Sequence, residues 1–143
     1  MATRDMRRGT LSGAGALSPS GQAGTTVMRR ILPLSTVNGG SIAANDIIQV
    51  LQLPEDCIVH WVGGEVTTAN TSAGSIALSG AGYIYAAAVN GNLSTAGQLV
   101  VSAATFPFYN SASSAIEFTL TSGTITLGDG TIRVYAIYTP VGE

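Results

Sequence analysis

The stretch "AIEFTLTSGTITLGDGTIRVYAIYT", residues 115–139, decides the fold. Ile116, Phe118 and Leu120 alternate with Glu117, Thr119 and Thr121, and Ile125 and Leu127 resume the period of two after Ser122-Gly123. Gly128-Asp129-Gly130 supplies the next turn, Asp-Gly being a strong hairpin signal. Ile132, Val134, Ala136 and Tyr138 then alternate with Arg133, Tyr135 and Ile137. Successive side chains of a strand point to opposite faces, so this pattern turns one row of each strand into a core and leaves the other outside.

The same grammar runs upstream. "VMRRILPL" (27–34) reads as a first extended segment, which Pro33 confines to a sheet edge or ends. "STVNGGSIAAN" (35–45) is a loop by its Asn-Gly-Gly centre. "DIIQVLQL" (46–53) stops at Pro54, and "CIVHWVGGEVTT" (57–68) reads as a long strand broken or bulged at Gly63-Gly64. "SIALSG" (75–80), "YIYAAAV" (83–89) and "QLVVSA" (98–103) complete the series. Residues 93–106 are the one helix-like stretch, with Leu93, Gly97, Val100 and Ala104 on one face, but Gly97 and the Val100-Val101 pair weaken it. Long amphipathic helices, which a parallel α/β fold needs, are absent. The expected fold is all-β: a β-sandwich or jelly-roll-like body of about eight short antiparallel strands.

Residues 1–26 have another texture. Between Gly9 and Thr26 nearly every residue is Gly, Ala, Ser, Thr, Pro or Gln, with Leu11 and Leu17 the only large apolar groups. Such a segment buries too little apolar surface to offset its conformational entropy. It reads as an extended basic arm (1–26) on a single β-sandwich domain (27–143), in which 27–45 is a linker or edge strand. A chain of 143 residues fits one domain with such an appendage.

Charge is distributed unevenly. Five of the six basic residues, Arg4, Arg7, Arg8, Arg29 and Arg30, fall in the first thirty positions, and the chain has no lysine. Residues 1–30 carry a net +4, and residues 31–143 a net −6. From Glu65 to Glu117 lie fifty-one residues without a charged side chain. A monomer normally intersperses charge over its surface. A long neutral stretch fits either a small polar Ser/Thr/Asn surface or a surface covered by partner subunits, where charge is costly to desolvate. The second is the reading adopted.

The residues offer little chemistry. His60 is the only histidine and Cys57 the only cysteine, so the chain forms no internal disulfide and no His-His metal site. On a strand, Cys57 and His60 point to opposite faces, which separates a nucleophile from its base. Glu55-Asp56 supplies too few oxygens for calcium, and Gly80-Ala81-Gly82 lacks the third glycine of a dinucleotide loop. No phosphate loop is present, and no cofactor is expected. Tyr83, Tyr85, Phe106, Phe108, Tyr109, Tyr135 and Tyr138 are more simply read as core or subunit contact than as a carbohydrate platform. A basic arm could touch phosphates, but without lysine or interleaved aromatics, and with an acidic body behind it, nucleic acid is not the expected partner. No apolar run reaches the ~18 residues of a membrane span. No apolar segment follows the N-terminal arginines as a secretory signal requires, so synthesis in the cytoplasm is expected. The sequons at Asn70 and Asn92 are then coincidental.

The segments "NDIIQVLQLPEDCIVHWVGGEVTT" (45–68), "SIALSGAGYIYAAAV" (75–89), "FPFYNSASSAIEFTLTSG" (106–123) and "GTIRVYAIYTP" (130–140) together resemble the small head proteins of tailed bacteriophages known as capsid decoration or cement proteins. The resemblance covers about 46–140, consists of strand grammar, and leaves the arm unaligned. It implies a non-enzymatic virion protein on the capsid exterior that binds the major capsid protein at capsomer junctions, commonly as a homotrimer. It also implies arms that reach across neighbouring subunits; the uneven charge, not the resemblance, gives the docking of this arm on acidic surfaces of neighbours to Arg4, Arg7, Arg8, Arg29 and Arg30. No small-molecule substrate is expected. A tail or fibre module, or another β-sandwich binding module such as a lectin, is the alternative, and a hydrolase of unfamiliar type is a third.

Overall fold

Ile132, Val134, Ala136 and Tyr138 are all buried, and the strand that carries them, β12 (Thr131–Pro140), lies between two neighbours. The computed structural model describes residues 3–5, 24–37, 39–87, 93–99, 101 and 105–141. In it β12 pairs antiparallel with β2 (Thr26–Pro33) on one side and with β5 (Cys57–Thr68) on the other. The short strands β8 (Gly97–Gln98) and β9 (Phe108–Asn110) both pair with β5, giving the order β2-β12-β5-β8 with β9 on β5.

A second five-stranded sheet runs in the order β1 (Thr3–Asp5), β4 (Ile47–Leu53), β10 (Ser114–Ser122), β6 (Ser75–Gly80) and β7 (Tyr83–Ala86). Every pair in it is antiparallel except β1 with β4, which is parallel. β3 (Ser41–Ala43) and β11 (Thr124–Thr126) form a separate ribbon.

The inner rows of the two large sheets share one core. Met28, Leu32, Val59, Val62, Val66 and Val134 come from the first sheet, and Ile48, Val50, Leu53, Ile76, Leu78, Ile116, Phe118 and Leu120 from the second. Each such side chain contributes about 1.5–3 kcal/mol when fully withdrawn from water.

The chain is all-β, as its alternation predicts: no α-helix occurs among the described residues, only a single turn of 3-10 helix at Leu34–Thr36. Of the helix-like stretch at 93–106, Val100 and residues 102–104 lie outside the described residues, while the described part holds β8, and Leu99 N–H donates to the Gly64 carbonyl at 2.9 Å. Among the described residues twelve strands stand where about eight are expected. The surplus comes from β1, β3, β8, β9 and β11, which have two or three residues each and are too short to show a period.

Gly63-Gly64 does not break β5. The register slips against β12 lie between Thr131 and Ile132 and between Ile137 and Tyr138, whose partners skip Thr67 and His60. The glycines mark close approach instead. A Cβ on Gly63 would stand 2.5 Å from the Tyr135 ring, and one on Gly64 2.9 Å from Leu99 Cδ1.

Candidate docking surface

The outer face of the β2-β12-β5 sheet can be read row by row from its register. Ile31, Arg133 and Glu65 form one row; Arg29, Tyr135 and Gly63 the next; then Val27, Ile137 and Trp61; and last Thr139, Ile58 and Tyr109. Seven large apolar side chains stand exposed among the described residues, and four are on this face: Val27 (48%), Ile31 (53%), Ile58 (39%) and Tyr109 (54%). Tyr135, Ile137 and Trp61 lie half-buried between them. This largely apolar strip crosses four strands, β2, β12, β5 and β9, and a monomer gains nothing by keeping it in water.

Local packing holds the strip flat. The Tyr135 ring covers the backbone of Gly63, where any other residue would push it off. Trp61 packs on Phe106 at 5.1 Å between ring centres, and Phe106 stacks in turn on buried Tyr85 at 5.7 Å. At the slip in β5, His60 turns outward, and its Nε2 lies 2.8 Å from Thr139 Oγ1. Tyr109 donates its hydroxyl to Asp56 Oδ1 at 2.5 Å, and the carboxylate so bound raises the phenol's pKa above its ordinary value.

The strip carries few charges. Arg133 is paired with Glu65 inside it, a half-exposed ion pair contributing at most about 1 kcal/mol. Arg29 projects to solvent between Val27 and Ile31.

The arginines singled out in the sequence separate into three places. Arg29 and Arg30 lie within β2, an edge strand as Pro33 suggests; Arg29 is exposed on the outer face, and Arg30 sits half-buried on the inner row. Arg4 lies in β1, at the register of Ile48 on the edge of the other sheet. Arg7 and Arg8, with most of the expected arm, are outside the described residues.

Cys57 and His60 face opposite ways. Cys57 is buried, its Sγ 3.3 Å from the Pro54 carbonyl, and burial pushes its thiol pKa up, away from the reactive thiolate. Among the described residues no three His, Cys, Asp or Glu side chains converge on a metal position. A shallow cleft of about 410 Å³ over the β6–β7 hairpin carries a single carboxylate, Glu117, which accepts from Gln49 Nε2 at 3.1 Å. Asn70 is buried with its amide nitrogen bonded to two carbonyls, so its sequon offers no free acceptor nitrogen for a glycan.

The docking strip escapes a reading of single segments, because its rows assemble from strands far apart in the chain. A signal is nevertheless present: Val27-Met28, Ile31-Leu32, Ile58-Val59 and Ile137-Tyr138 place large apolar side chains on both faces of their strands.

No protein-family model matches the chain, and no curated protein does. Among solved structures, it is similar to a chain of the "Cyanophage Pam1 capsid asymmetric unit", with a TM-score of 0.57 and 17% identity. The likeness covers 93% of this chain and 94% of that one, so the two share a fold over nearly their whole lengths.

Proposed function

We propose that this protein is a non-enzymatic structural component of a tailed-phage virion, seated on the capsid exterior and holding neighbouring major capsid subunits together. The observation that carries the reading is the apolar strip from Ile31 to Tyr109, a surface built for a protein partner. The end-to-end likeness to a chain of a capsid assembly supports the class of partner. Two surfaces divide the work: the strip docks the body, and the segment that begins with β1 straps across a neighbour.

The strip spans enough strands to serve a second copy of the chain as well as a capsid subunit, and a homotrimer at a capsomer junction uses both. Individual contacts are weak, and strength comes from repetition over many copies. The long uncharged span from Glu65 to Glu117 is consistent with surfaces that lose water on assembly. Cys57 is buried and His60 faces outward, so these two do not form a nucleophile–base pair.

Cryo-electron microscopy of particles assembled with the full chain, and with a chain lacking residues 2–23, tests it. Density on the outer shell that weakens when the strap is removed supports the reading; density at the tail, or none on the particle, overturns it.

A further inference from the structure

We propose that the open edge of β2 is a strand acceptor, taking an extended segment of another protein that carries one acidic residue between two apolar ones. This rests on the reading that the chain docks onto protein subunits, and it names the chemistry of that partner.

β2 is the terminal strand of its sheet among the described residues, so one side of its backbone has no strand beside it. An open edge invites another strand, and proteins usually blunt such edges with charge or proline. Pro33, which has no N–H to donate, closes the acceptor at its far end. Arg29 alone could be read as blunting of the same kind. The residues beside it argue otherwise, because Val27 and Ile31, two positions away on the same face, are about half exposed. Arg30 on the inner row and Pro33 are further devices of that kind, whereas the outer face keeps an apolar–cationic–apolar row open to a complementary strand.

The charge also says what the occupant is. A second copy pairing two-fold along β2, so as to extend the sheet, offers Arg29 no carboxylate in any register, because β2 carries no acidic residue, and an axis through Arg29 or Arg30 places an arginine opposite itself. Like charges directly opposite are destabilising. An incoming strand with Glu or Asp opposite Arg29 and β-branched side chains opposite Val27 and Ile31 satisfies every position in the row. The edge therefore discriminates against self-association and for an acidic, apolar strand.

Two synthetic peptides, Ac-Thr-Val-Thr-Glu-Thr-Val-Thr-NH2 and its Lys-for-Glu counterpart, are titrated into the full-length protein and followed by amide chemical shifts and hydrogen exchange. The Glu peptide is expected to shift and protect amides of β2, with the Lys peptide weaker by about fivefold or more. Arg29→Glu reverses the preference, and Arg29→Gln removes it, which separates the charge effect from any loss of fold. No response to either peptide at millimolar concentration, shifts centred away from β2, equal binding of both peptides, or dimerisation of the protein through β2 overturns the proposal. Occupancy of the particle by Arg29→Glu separates this from the broader reading. If full occupancy is kept, the strand acceptor fails and the virion role stands. If even the unaltered chain leaves particles bare, the virion role fails whatever the peptides do.

Discussion

The ring of Tyr135 lies across Gly63, so close that a side chain at residue 63 would meet the phenol at 2.5 Å. The glycine is thus part of the docking face: it gives the tyrosine a floor and keeps the strip level between Arg29 and Trp61. Gly63→Ala should cost about 1 kcal/mol, because the free end of a half-exposed ring can swing aside. Gly80→Ala should cost about 3 kcal/mol: its φ is +155°, and its Cβ would meet the immobile Ala115 carbonyl oxygen at 2.3 Å. Urea denaturation of the two variants ranks them, and equal losses would contradict the packing described.

The Tyr85 hydroxyl is buried, with no hydrogen-bond partner among the described residues. Removing it in Tyr85→Phe should stabilise the fold by about 1 kcal/mol, since an unmet polar group is costly to bury. Burial also raises the phenol's pKa well above its ordinary value of 10.0. With a raised folded pKa, the neutral ring's contribution is intact below pH 10 and falls away as the pH climbs beyond it, because only the unfolded chain ionises there. Tyr138 shares the upward shift, chiefly through burial. Alkaline denaturation of Tyr85→Phe should therefore begin at higher pH than in the parent while keeping a residual slope.

Asn70 ties two loops together. Its amide nitrogen donates to the Thr126 and Asp129 carbonyls at 3.0 and 2.7 Å, and its Oδ1 accepts from the Ser72 N–H at 2.7 Å. Asn70→Ala leaves those part-buried groups unmet and should cost about 1–2 kcal/mol. Thermal unfolding reads the loss, and a shift within error of the parent would show the loops held by other means.

The period of two at 115–139 carried the fold class, and among the described residues β2 ends its sheet, a position in which Pro33 is tolerated. The core rows followed from alternation, because burial on one face leaves its mark on every second residue. The pairing order was not legible, since β4 beside β10 and β5 beside β12 join segments whose separation no local pattern records. The docking strip lay hidden for the same reason. Ile58 and Val27 look like ordinary strand residues until the register through β12 sets them on one face. Gly63-Gly64 was readable as special, but not as a floor for Tyr135, because a glycine signals lack of a side chain without saying what occupies the space.

Val27 and Ile31 stand half in water, so polar substitutions there should cost the body about 1–2 kcal/mol each and leave it folded. Val27→Asp with Ile31→Asp therefore separates folding from docking, and urea denaturation of the purified double variant checks the first half of that statement.

The same double variant tests the central claim most directly, through its occupancy on assembled particles by cryo-electron microscopy beside the unaltered chain. The account predicts ordered density on the outer shell for the parent and background density for a double variant that is fully folded. Equal occupancy of the two would contradict it.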